Sequence, residues 1–423
     1  MLIPVLIVFI ALYVLMLIFA DYRMWFALAA AAVYIIMGVV APGEAPGAVN
    51  WNVIMMIAGT MGVVSMFTES GMPMRLADTI INGVPDVRWA VVMLSVFSGV
   101  VSAFVDNVAT VLMLAPVCLA LCRQLEINPV PVLVSVAVSS NLQGAATLVG
   151  DTTSILLGGY AGMNFMDFIW WQGRPSIFWA VELGALGTVF ILLWLFRNQK
   201  GVKIATSERT QVDDYFPSIL MIGIVVLLII ASFIPGTPDN INGIICCSLC
   251  VIGLIRNSIK YRSFGSLKLV AKEFDYATVL MLCGLFIVIR GIQNAGIIDI
   301  IANFFAGLGG GNIFVLYTII VFGSVILSAF IDNIPYVAAM LPVLQSVSVR
   351  LGCDPVLLYF GLLTGATLGG NITPFGASAN IAGIGILRKE GYTVTNGDFF
   401  RIGVPFTMTA VLIGYAFIWA FWA

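Results

Sequence analysis

Apolar residues arrive along this chain in long runs: residues 2–20, 24–40, 176–196, 216–234, 241–255 and 399–423 are each almost continuously hydrophobic. A helix rises 1.5 Å per residue, so a ~30 Å hydrocarbon layer is crossed by roughly 20 residues. These runs therefore predict membrane-spanning helices. The first lacks the basic lead and small-residue cleavage site of a secretory signal, and reads as a membrane helix. The longest polar stretch, residues 197–215, reads as a linker between a first unit, 1–196, and a second, 216–423.

The two units share a sequence pattern. Ser-Ala-Phe-Val-Asp-Asn-Val opens the segment 102–117 and returns as Ser-Ala-Phe-Ile-Asp-Asn-Ile at the start of 328–343, with eight of sixteen positions identical at an offset of 226. Composition alone gives unrelated apolar segments about 2 matches in that length. The offset persists, pairing Pro129 with Pro355, Gly144 with Gly370, Thr147 with Thr373 and Gly150 with Gly376. Each unit shows three apolar helices, two shorter apolar segments joined at Asp-Asn, a Gly-interrupted segment and a final helix. If the pair joined at Asp-Asn is a re-entrant hairpin, each unit crosses an odd number of times and its successor is inverted. The fold expected is an all-α polytopic membrane protein. It consists of two inverted repeats, each with five transmembrane helices plus one re-entrant hairpin, and has broken helices at the midplane.

Composition agrees, with 61% hydrophobic and 9% charged residues against about 25% charged in a soluble domain. Cytoplasmic loops collect Lys and Arg. Threading the expected topology puts sixteen of the nineteen on one side, Lys200, Lys203 and Arg209 among them. That places both termini outside, the linker in the cytoplasm and the protein in the plasma (inner) membrane as a multi-pass component. Nothing in the sequence suggests nucleic-acid binding. The seven cysteines lie mostly in apolar runs and there is no His, so no metal centre, cofactor or enzyme chemistry is expected.

A carboxylate at mid-bilayer costs roughly 2.5–3.5 kcal/mol on insertion scales, so Asp106 and Asp332 need a reason to be there. One reason is helix capping, since Asp accepts from the unpaired amides of a first turn. The other is binding, because hairpin tips bring helix termini and carboxylates to a common depth. After each hairpin comes a run of Gly with small hydroxyl and amide side chains, 139–154 and 365–380. Non-helical backbone survives at depth only where it is buried in protein or lines a cavity. Asp151 with Thr152 offers hard oxygen ligands, with Na+ or H+ as the possible coupling ion near Asp106, Asp151 and Asp332. Glu182, within 176–196, is a further possible proton carrier.

These motifs resemble the ion transporter superfamily. The Asp-Asn tips, Ser140-Asn141 with Gly150-Asp151, and Gly369-Gly370-Asn371 with Gly376-Ala377-Ser378-Ala379-Asn380 look like its branch of ArsB-type arsenite permeases, the melanosomal P protein, NhaD-type Na+/H+ antiporters and citrate-transporter-like proteins. The resemblance implies hairpin-tip residues Asp106, Asn107, Asp332 and Asn333, and broken-helix residues Asn141, Thr147, Asp151, Asn371, Thr373, Ser378 and Asn380. It also implies elevator motion, a homodimer in the lipid bilayer and, as in some arsenite permeases, a cytoplasmic ATPase partner. The function expected is secondary active transport of a small ionic substrate, an anion or oxyanion such as arsenite, coupled to an ion gradient. Na+/H+ antiport and an ion channel are the alternatives.

Overall fold

The computed structural model describes residues 2–199, 210–262 and 265–423. Most of the linker, with Lys200, Lys203 and Arg209, lies outside the described residues. On either side stand ten α-helices. The first unit runs α1 (Leu2–Ile18), α2 (Arg23–Ile36), α3 (Ala45–Ala48), α4 (Trp51–Glu69), α5 (Met72–Gly83), α6 (Val87–Ser102), α7 (Asn107–Gln124), α8 (Pro129–Gly144), α9 (Thr152–Ala161) and α10 (Ile177–Leu195). The second runs α11 (Phe216–Ser232), α12 (Ile241–Tyr261), α13 (Gly265–Glu273), α14 (Tyr276–Asn294), α15 (Ile297–Leu308), α16 (Ile313–Ser328), α17 (Asn333–Leu351), α18 (Pro355–Gly369), α19 (Ser378–Lys389) and α20 (Asn396–Trp422). Otherwise the described chain adds short 3-10 turns and one ribbon, Trp170–Trp171 paired with Arg174–Pro175.

Helix ends are specified locally, and often in the same way twice. Asn128 caps α8 and Asp354 caps α18, each accepting from the amide two residues on at 2.9 Å, and a Pro opens both helices. Proline suits that position because its missing N–H would be unpaired there. Among the described residues, eight helices are long and apolar enough to cross a bilayer, or nine if α15 and α16, bent by 114°, form one span. The sequence reading anticipates ten crossings; beside the eight or nine stand the shorter apolar helices α1, α2, α6 and α11, of 17, 14, 16 and 17 residues.

Packing follows the same duplication. Helix α4 lies along α12 and α2 along α14; α6 pairs with α8 and α16 with α18; α10 packs on α20. Small residues permit the close crossings, as is usual where lipid supplies no hydrophobic drive between helices. Gly59 sits against the backbone at Cys246, and Gly284 against the backbone at Ala27. The most enclosed helices are α8 and α18, whose residues are almost all buried. Polar side chains at their ends are thus held deep in the protein.

Candidate functional site

The helix following each tip begins on an Asp cap. Asp106 Oδ2 accepts from the Val108 and Ala109 amides at 3.0 and 3.1 Å, and Asp332 Oδ1 from the Ile334 amide at 3.1 Å. The broken helices tie these tips down symmetrically. Thr147 donates its hydroxyl to the Ala103 carbonyl, and Thr373 makes the corresponding bond to Ala329. Ser154 donates to the Gly144 carbonyl at 3.2 Å, and Asn380 to the Gly370 carbonyl at 3.1 Å.

Between the units, at the heart of the protein, runs a chain of amides. Asn107 Nδ2 donates to Asn141 Oδ1 at 2.8 Å, and Asn141 Nδ2 donates to the Thr367 carbonyl at 2.8 Å and to Asn371 Oδ1 at 3.1 Å. Asn371 in turn donates to the Val138 carbonyl at 2.9 Å. Leaving a buried polar group unpaired costs about 1–3 kcal/mol. Replacing Asn141 by Ala orphans groups on Asn107 and Asn371 together, so this variant should lose about 2–5 kcal/mol of stability. A thermal-unfolding midpoint in detergent within 1–2 °C of the original would count against that bridge.

A cavity of about 410 Å³ lies in front of this network. The first turns of α7, α9, α17 and α19 all reach it, through Asn107, Thr152, Asn333 and Ser378. Helix N-termini carry roughly half a positive charge each from their unpaired amides. Asp106 and Asp151 stand among them, with Asp151 Oδ2 accepting from the Thr153 hydroxyl at 2.8 Å. Of the twelve residues singled out from sequence, Asp106, Asn107, Asp151, Thr152, Asn333 and Ser378 line the cavity. Asn141, Thr147, Asn371, Thr373 and Asn380 are buried and form the supporting bonds described above. Asp332 is absent from the lining, and its Oδ2 accepts from Arg23 Nη1 at 2.5 Å.

Other lining residues were not singled out from sequence. Helix α4 lines it through Thr60, Ser65 and Thr68, and the junction of α13 and α14 through Glu273 and Asp275. Glu273 accepts from Ser65, while Asp275 caps α14 through the Thr278 amide at 3.0 Å. Their positions beside the basic loop before α14 gave them the look of surface charge. Glu182 lies away from the cavity lining, bonded to Gln143 at 3.2 Å.

A cavity into which four helix tips and two carboxylates project, inside a bundle with this many apolar spans, fits a membrane transporter. The chain belongs to the CitMHS citrate transporter family, of the ion transporter superfamily, whose profile matches residues 5–365 and again 266–423. It is 31% identical over 378 residues to an uncharacterized transporter of Mycobacterium tuberculosis H37Rv, covering 88% of this chain and 86% of the relative. It is 25% identical over 452 residues to the human P protein, covering 88% of this chain and 53% of that protein. Among solved structures, the fold resembles the YdaH transporter of Alcanivorax borkumensis, with a TM-score of 0.59, 15% identity and coverage of 89% and 86%. It also resembles MtrF of Neisseria gonorrhoeae, with a TM-score of 0.58, 13% identity and coverage of 92% and 83%.

Proposed function

We propose that this transporter couples the movement of a small anion across the plasma membrane to a cation gradient, Na+ or H+, with both ions meeting at the cavity. The observation that carries this reading is the pairing of unlike features on one surface: four helix N-termini, with Asp106 and Asp151 among them and Glu273 and Asp275 beyond, and no Lys or Arg in the described lining. The N-termini suit an anion's oxygens, each contributing about 0.3–1 kcal/mol and up to ~2 when partly buried. One Asp106 oxygen is spent on capping α7, which leaves the other for a mobile cation. Bound together, the two ions neutralise each other, and neither is favoured at this depth alone. The family's description favours a carboxylate such as citrate over arsenite as the anion. In this reading the units are inverted repeats, with the linker cytoplasmic and both termini outside, as the Lys and Arg distribution supports.

A second reading, cation/proton antiport, draws on one observation: four carboxylates, Asp106, Asp151, Glu273 and Asp275, line the cavity or its rim. Proteoliposomes separate the two. Radiolabelled citrate and arsenite are offered in turn under imposed Na+ or pH gradients, with a pH-sensitive dye inside. Saturable, gradient-dependent uptake of one anion is the expected result. Collapse of the pH gradient on adding Na+ without any anion would replace our reading with antiport, and non-saturating flux would replace it with a channel.

A further inference from the structure

The two tips are equivalent in backbone and opposite in electrostatic provision. At an offset of 226, Asp106 and Asp332 cap α7 and α17, Thr147 and Thr373 bind the carbonyls of Ala103 and Ala329, and Gly150 and Gly376 fit under matching carbonyls. What faces each carboxylate differs. Asp106 meets the cavity, where Asp151 adds a second negative charge, and none of the described Lys or Arg side chains pairs with it. Asp332 lacks a carboxylate from its own unit's broken helix, because Ala377 stands where the first unit has Asp151; Asp151 acts on it only across the units, and its charge is met by Arg23 at 2.5 Å.

Arg23 comes from far away in sequence and is held in place. It opens α2 at the turn after α1, and its Nε donates to the Met16 carbonyl at 3.3 Å. Beside it, the Tyr13 hydroxyl donates to the Pro335 carbonyl at 2.8 Å, fastening the same turn of α17. With 14 residues, α2 is too short for a straight crossing, so the turn that opens it can meet the tip at depth.

We infer that Arg23 is a tethered substitute for a mobile cation at the second tip, so that the transport cycle loads its coupling cation at the first tip alone. A guanidinium stays charged at any physiological pH and cannot leave. It fulfils the electrostatic need of Asp332 while removing that carboxylate from ion exchange. The number of coupled cations is thereby set by one residue on α2, outside the cavity. This rests on the reading that Asp106 and Asp151 hold a mobile cation.

The test counts cations on the purified full-length chain in detergent, by equilibrium binding of 22Na+ and by potentiometric proton uptake. Arg23→Gln should gain about one cation per chain, as Na+ plus H+, relative to wild type, and adding Asp332→Asn should remove that gain. Arg23→Lys, which keeps the charge, should gain none. Arg23→Gln/Asp332→Asn leaves no unpaired charge and should retain gradient-driven uptake within about threefold of wild type. No gain in folded Arg23→Gln, or a gain that survives Asp332→Asn, overturns the inference. If Arg23→Gln does not fold at low Na+, its thermal midpoint is read against Na+ concentration and pH: recovery with added Na+ or falling pH, absent in the double variant, upholds the inference, and no recovery overturns it. Failure of the underlying reading shows separately, as cation binding in wild type that Asp106→Asn and Asp151→Asn both leave unchanged.

Discussion

An Asp151→Asn chain should fold and insert normally yet lose gradient-driven uptake by about 100-fold or more. Asp151 stands at the start of α9 without a side-chain capping bond, its Oδ2 accepting instead from the Thr153 hydroxyl, so capping does not depend on it. The other unit demonstrates the point, because Ala377 holds the same position at the start of α19. The carboxylate is buried, faces the cavity and accepts a hydroxyl from Thr153 at 2.8 Å. Removing one partner of a buried charge pair costs about 3–5 kcal/mol, and 1.4 kcal/mol is a factor of ten. Initial uptake rates in proteoliposomes, at matched protein content and thermal midpoint, make the comparison. Thr153→Val removes one hydrogen bond to the same carboxylate and should cost only about 5–10-fold. Asp151→Asn with wild-type rates would remove Asp151 from the ion pathway.

Gly150→Ala and Gly376→Ala should each unseat a tip, with similar losses of stability and transport. A Cβ on Gly150 would lie 2.7 Å from the Gly144 carbonyl oxygen and 2.9 Å from those of Ala103 and Ser102. On Gly376 it would lie 2.7 Å from the Gly370 oxygen and 2.9 Å from those of Ala329 and Ser328. These obstacles are main-chain atoms, so no rotamer change relieves the clash. Overpacking typically costs 1–3 kcal/mol and occasionally more. Two of the three carbonyls at each site, those of Ser102 and Ala103 or of Ser328 and Ala329, lie only a few residues before Asp106 and Asp332, and the shift is therefore delivered to the tips. Gly385→Ala in α19 meets open space and should be neutral or stabilising by up to ~1 kcal/mol through helix propensity. Unfolding midpoints monitored by size-exclusion chromatography would rank the three variants. A Gly150→Ala chain as stable as Gly385→Ala would contradict the tight packing.

Much of the architecture was legible because its causes are local or periodic. Spans announce themselves by apolar length, caps by Asp106 and Asp332 within apolar segments, and the duplication by an offset of 226 that survives in Gly, Pro and Asp-Asn positions. Residues such as Asn107, Asp151 and Ser378 stood out because polar groups and Gly at this depth need burial in protein or a cavity. No such signal marks Arg23, which reads as an ordinary loop cation, nor Glu273 and Asp275, which read as part of a charged loop.

By itself, then, the sequence determined that this chain lives in a bilayer, repeats its Asp-Asn segment at an offset of 226 and carries polar residues at the interruptions. Which of those polar residues face a common cavity and which only support it was decided by tertiary structure alone. So was the unequal treatment of two carboxylates in nearly identical sequence contexts. Asn141 meets Asn371 across 230 positions, and Arg23 meets Asp332 across 309. Capping and hydropathy depend on neighbours a few residues away, whereas the charge that faces a buried carboxylate depends on how helices distant in sequence pack.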